Sequence, residues 1–125
     1  MTLFLTVEEA LRIGEAATGA PLQVRDHGLL ESALARPRTS VFGEDAYPTL
    51  HEKAASLLQS LVGNHALIDG NNRLGFACTS VFLAINGAPL TCSEDEAYDL
   101  VIDIATGQLD TVNTIAERLL AASTD

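Results

Sequence analysis

The chain has 125 residues, 47% hydrophobic and 19% charged, which fits one soluble globular domain over 1–125 that needs no metal or disulfide staple. Its 17 acidic and 7 basic residues give a net charge of −10, with no basic patch to bind nucleic acid directly. That acidity also argues against an anionic membrane as partner and favours solubility or a basic partner protein.

No stretch approaches the roughly 20 apolar residues of a membrane span. Met1-Thr2-Leu3-Phe4-Leu5 has no basic region, so no signal peptide and a cytoplasmic location are expected. The two cysteines, Cys78 and Cys92, have neither CxxC nor Cys/His spacing and are expected to be reduced, buried thiols.

The punctuation predicts an all-α fold of six helices with one irregular excursion. Thr6-Val7-Glu8-Glu9 reads as a capping box opening a helix to about Ala17, stopped by Gly19-Ala20-Pro21. Asp26 can cap a second helix carrying Leu29, Leu30, Ala33 and Leu34, which ends before Pro37. Residues 38–48 have no helical period and read as an exposed loop or small hairpin. Thr49-Leu50-His51-Glu52 is a second capping box, opening a helix with a broad apolar face from Ala54 to Val62.

After the segment from Asn64 to Arg73, apolar residues recur from Leu74 to Ile85 and stop at Gly87. Ser93-Glu94-Asp95-Glu96 is a third box, opening a helix to about Thr106. A last helix covers about Thr111 to Ala121. The acidic run Glu94, Asp95, Glu96, Asp99 and Asp103 reads as a wet helix face rather than a metal cluster. His27 and His51 adjoin helix starts and are expected to be solvated.

The most informative segment is Asn64-His65-Ala66-Leu67-Ile68-Asp69-Gly70-Asn71-Asn72-Arg73. A loop feeding a buried helix N-terminus is a ready anion site, because the first backbone N–H groups lack partners and the helix dipole is positive there. His65 is expected at the end of the preceding helix, on a face with Leu58 and Val62. It is either a half-buried histidine at a helix C-terminus or a general base. Asp69 is either a turn or N-cap residue or a ligand for Mg²⁺. Gly70 permits a tight turn or a close approach of backbone to a ligand. Asn71 and Asn72 can cap the helix or line an anion nest. Arg73 falls in the first helical turn, where the dipole disfavours a cation unless an anion lies between them. It either pairs with an acid or binds an anion.

His65-Ala66-Leu67-Ile68-Asp69-Gly70-Asn71-Asn72-Arg73 resembles the signature of the Fic/Doc family. The Doc branch reads H-x-F-x-D/N-x-N-K-R, and the Fic branch H-x-F-x-D/E-G-N-G-R-x-x-R. Leu29-Leu30-Glu31-Ser32-Ala33-Leu34-Ala35-Arg36-Pro37, Tyr47-Pro48-Thr49-Leu50 and Phe82-Leu83-Ala84-Ile85-Asn86-Gly87 also resemble the Doc, or death-on-curing, branch. The resemblance implies a helical core acting on ATP with Mg²⁺. Fic proteins usually transfer AMP to a protein hydroxyl. Doc toxins transfer the terminal phosphate to a threonine of elongation factor Tu and are restrained by a Phd-like antitoxin.

By that resemblance His65 deprotonates the target hydroxyl and Asp69 holds Mg²⁺. Gly70, Asn71, Asn72 and the following amides would bind phosphate together with Arg73. Residues 38–48 correspond to a flap that pairs with the target segment in strand fashion. Three departures matter. Leu67 replaces a phenylalanine, Phe76 stands where AMP-transferring members have a second arginine, and Asn72 replaces the Doc lysine. The last exchanges a point charge for a neutral amide, which leaves a catalytically inactive module that only binds its antitoxin as an alternative.

Overall fold

The computed structural model describes residues 1–123 and bears out the all-α expectation. Six helices run in chain order: α1 (Val7–Thr18), α2 (His27–Ala35), α3 (Leu50–Gly63), α4 (Asn71–Ile85), α5 (Glu94–Ala105) and α6 (Val112–Ser123). A short 3₁₀ turn (Arg36–Arg38) follows α2, and a two-stranded hairpin, β1 (Ser40–Val41) and β2 (Glu44–Asp45), leads into α3. Among the described residues, no helix is long and apolar enough to cross a membrane.

The three capping boxes all form. Glu9 N–H donates to Thr6 Oγ1 at 3.1 Å and Thr6 N–H to Glu9 Oε1 at 2.9 Å. That backbone donation holds the Glu9 carboxyl below its ordinary range. Thr49 with Glu52, and Ser93 with Glu96, repeat the arrangement. Asp26 caps α2 by accepting from Leu29 N–H at 3.0 Å, and Thr111 Oγ1 accepts from Thr114 N–H at 3.2 Å at the start of α6.

α3 is the central element, packed against α2, α4, α5 and α6. Ala54, Ala55, Leu57, Leu58, Leu61 and Val62 are all buried in one core with Leu74, Phe82, Leu83, Ile115 and Leu119. α4 lies close against α3 because Gly75 has no side chain there: a Cβ at that position would stand 2.9 Å from Val62 Cγ2. Both cysteines are free. Cys78 is buried and Cys92 partly so, and burial pushes the Cys78 thiol up to about 12.

The hairpin is the predicted excursion at 38–48. Ser40 pairs with Asp45 and Val41 with Glu44. The connecting Phe42 and Gly43 have φ of 52° and 81°, the sign pattern of a type I′ turn. Its tip is solvent-facing, but its base is held. The Arg36 guanidinium donates to Tyr47 Oη, Gln59 Oε1 and Ser60 Oγ, each at 2.9 Å, and also packs on the Tyr47 ring. The buried Lys53 ammonium donates to Asp45 Oδ2 at 3.1 Å and to the Tyr47 carbonyl. These contacts anchor the base of the hairpin to α3.

One expectation fails at the other end of α3. His27 is exposed as expected, but His51 is half-buried, with Nε2 3.3 Å from Ser123 Oγ at the end of α6. Desolvation there lowers its pKa below the ordinary 6.5. The fold's C-terminal helix covers a residue that local sequence places at an open helix start.

The α3–α4 contact is testable. Gly75→Ala is expected to destabilise the chain by about 1–3 kcal/mol through overpacking. In Val62→Ala the same substitution loses most of its effect, because the clashing methyl is gone. Urea unfolding of the four proteins of this double-mutant cycle measures the coupling.

Candidate active site

The segment between α3 and α4 folds into a loop held both by its own side chains and by a distant segment. α3 ends at Gly63, and Asn64 follows as its C-cap. His65 therefore lies outside the helix, with φ of 52°, and is exposed while Leu58 and Val62 are buried. The expected common face of these three residues does not exist, because the chain reverses into the left-handed region at His65.

That reversal is fixed from a distance. The segment after α1 runs alongside: Val24 bridges Leu67, Ile68 N–H donates to Gln23 O at 3.0 Å, and Arg25 N–H donates to Ala66 O at 2.8 Å. The Arg25 guanidinium donates to the His65 carbonyl, from Nε at 3.1 Å and from a terminal nitrogen. Arg25 was not picked out by the sequence. It stands 40 positions from His65, and its only local signal is adjacency to the Asp26 cap.

Asn71 also differs from expectation. Its side chain neither caps α4 nor points to a ligand site. Oδ1 accepts from Leu67 N–H at 2.9 Å and Nδ2 donates to Leu67 O at 3.0 Å, so the amide imitates a strand partner and closes the loop. Its backbone N–H, at the first position of α4, stays available. Asp69 is not the N-cap either: its Oδ1 accepts from Gly70 N–H at 2.9 Å, in turn fashion. Gly70 itself is the N-cap, at φ of 89°, a conformation that favours glycine.

The start of α4 is therefore bare. The other five helices each receive a side-chain oxygen at their N-terminus, whereas α4 has none. The N–H groups of Asn71, Asn72 and Arg73 project from a helix of 15 residues without an acceptor among the described residues.

Arg73 stands in this first turn and has no partner among the described residues. Every other Arg or Lys side chain does. Arg12 pairs with Glu8, Lys53 with Asp45 and Arg118 with Asp103. Arg25 and Arg36 hold hydrogen-bond acceptors, and Arg38 lies over the Phe4 ring. The alternative of Arg73 paired with Asp69 is not realised. A free cation beside three free N–H groups is the electrostatic signature of an anion site.

His65, Asp69, Gly70, Asn71, Asn72 and Arg73 line one open cavity of about 650 Å³, whose opposite wall is the segment from Thr18 to Gln23. A second groove of about 700 Å³ meets it at Asn72 and Arg73 and continues over Phe76, Ala97, Tyr98 and Val101. Among the described residues, no three His, Cys, Asp or Glu side chains stand together as a metal cage. Mg²⁺ takes one or two carboxylates and completes its shell with water and phosphate oxygens. A single exposed Asp69, with Oδ2 free beside an anion site, suits that mode of binding. The acidic run on α5 is a solvent-facing surface, with Asp103 paired to Arg118 at 3.2 Å.

A chain with this helical core and this loop belongs to the Fic/DOC family, whose model matches residues 4–83. It is similar to the protein named Toxin Doc of Mycolicibacterium smegmatis, with 49% identity over 119 residues, covering 94% of this chain and 92% of that one.

The Asn71 clamp yields a direct expectation. Asn71→Ala leaves the buried Leu67 N–H and carbonyl unpaired and is expected to lower the unfolding free energy by about 1–3 kcal/mol. In urea unfolding, a change within error would show that the clamp contributes nothing to the fold.

Proposed function

We propose that this chain is a Doc-like toxin of a type II toxin–antitoxin module, acting in the cytoplasm. Its reaction transfers the γ-phosphate of ATP to a Ser or Thr hydroxyl of a translation factor, elongation factor Tu by family resemblance. The toxin assignment is supported by the extensive identity to a protein named Toxin Doc. The observation that carries the chemistry is the bare N-terminus of α4, with its three free N–H groups and the unpaired Arg73.

Phosphoryl transfer needs in-line positioning and neutralisation of charge on the phosphate oxygens more than covalent help from the protein. The Asn71, Asn72 and Arg73 amides and the Arg73 guanidinium would hold those oxygens at the cavity. Asp69 would hold Mg²⁺, which supplies further neutralisation when bound. His65 would accept the proton of the target hydroxyl as its oxygen bonds to the γ-phosphorus and the bond to the ADP oxygen breaks. The hairpin edge around Val41 and Phe42, anchored at its base to α3, would receive the target backbone in strand fashion. A Phd-like antitoxin would restrain the activity.

Two further readings are tested alongside this one. Transfer of AMP is the other reaction of the family pattern. Phe76 argues against it, because that position carries a ring packed on the core instead of a second arginine. Asn72 favours the other reading, an inactive module that only binds its antitoxin, since no lysine ammonium reaches the phosphates from that position.

Incubation of the protein with elongation factor Tu and ATP labelled at the γ- or the α-phosphate separates these readings. Label from the γ-position alone is expected. His65→Ala is expected to reduce it by at least about 100-fold, the usual contribution of a general base. Label from the α-position would establish AMP transfer instead, and no label with growth unaffected by expression would favour the inactive module. Asn72→Lys is expected to raise kcat/KM for ATP by roughly tenfold, the equivalent of about 1.4 kcal/mol. An unchanged kcat/KM would show that position 72 does not limit the reaction.

A further inference from the structure

A histidine base normally has its ring oriented by a third group that bonds the second nitrogen. The His65 imidazole has no such partner: neither ring nitrogen is hydrogen-bonded among the described residues. The only fixed part of its direction is the Cα–Cβ bond, which its own backbone sets, with χ1 and χ2 left to rotamer preference. That backbone is held at φ of 52°, which is unfavourable for a residue with a Cβ and persists only where surroundings impose it.

Several contacts surround the turn: Asp26 N–H also donates to Ala66 O at 3.1 Å and Ile68 N–H to Gln23 O at 3.0 Å, but among the described residues Arg25 alone reaches the His65 carbonyl itself. Its guanidinium donates twice to the His65 carbonyl, and its own main-chain N–H donates to the next carbonyl, that of Ala66, at 2.8 Å. One residue thus grips two consecutive carbonyls at the turn. Among the described residues the Arg25 guanidinium has no carboxylate partner, so its bonding is directed to this carbonyl. Planar, doubly donating geometry fixes an acceptor's direction in a way a lysine ammonium does not. Arg25 and His65 also line a common hollow beside the main cavity.

We infer that Arg25 is a positioning residue for His65: its guanidinium locks the His65 carbonyl and thereby the left-handed backbone from which the imidazole projects toward the cavity. The inference rests on the reading of His65 as the base, but the lock itself can be measured without turnover. Backbone ¹³C shifts and the three-bond H–N/H–α coupling of His65 report its φ in the wild type, Arg25→Ala and Arg25→Lys.

In Arg25→Ala these values are expected to leave the left-handed range. The kcat for phosphoryl transfer is expected to fall roughly 10- to 100-fold, as for a misplaced catalytic group. KM for ATP is expected to stay within about twofold, because the phosphate site is untouched. Arg25→Lys, keeping one donor, is expected to recover part of both. Circular dichroism and the urea midpoint report whether each variant is folded.

Unchanged His65 shifts in folded Arg25→Ala overturn the inference, whatever the activity. A displaced His65 with unchanged kcat, or a loss confined to KM, overturns the positioning role. Absence of phosphate transfer by the wild type would instead defeat the proposed reaction, and the comparison of His65 shifts would still decide whether Arg25 holds the turn.

Discussion

The close approach of α3 and α4 at Gly75 is the contact on which the rest of the site depends. α3 is buried along most of its length and reaches α2, α4, α5 and α6, so its position is set by the whole core. α4 is then seated against it through a glycine, within reach of Leu58, Leu61 and Val62. With both helices fixed, the loop between the end of one and the start of the other has little freedom. The hairpin hangs from the same helix through Lys53 and Arg36. One packed element thus positions the loop that carries the polar residues and the strand edge beside it.

The electrostatics of the cavity run against those of the protein. A chain of net charge −10 repels anions at long range. At physiological ionic strength that repulsion is screened over about 8 Å. Inside the cavity the free N–H groups of α4 and the Arg73 guanidinium act at contact distance, where screening is weakest. Leaving α4 with Gly70 in place of a side-chain cap costs a few tenths of a kcal/mol of helix stability, on the order of 0.3, relative to a Ser, Thr or Asp cap. Every other helix takes that stabilisation. The omission makes sense where the donors are kept for a ligand.

The elements with local causes were legible in the sequence. Thr6, Thr49 and Ser93 cap the helices they were expected to cap, since each box is closed within four residues by side chains that meet only in that conformation. The excursion at 38–48 showed itself by losing the helical period, and Gly70 by adopting a left-handed turn. The positions misread were those whose partners lie far along the chain. His65 lies outside the helix, where Arg25 and Gln23 pair with the loop around it. Asn71 looked like a cap because its bond to Leu67 runs back into the loop rather than forward into the helix. His51 looked solvated because α6, which covers it, comes much later in the chain.

The sequence by itself determined the helical class, most helix boundaries and the grouping of His65, Asp69, Gly70, Asn71, Asn72 and Arg73 at one helix start. These follow from hydrophobic period and capping, which are interactions between near neighbours. Only the tertiary structure decided that this helix start has no side-chain cap, that Arg73 alone among the Arg and Lys side chains of the described residues lacks a partner, and that His65 is held in a left-handed turn. Each of these is a statement about which hydrogen-bonding groups find partners. Partners such as Arg25 and Val24 are brought to the loop by packing of distant segments, which no local pattern encodes.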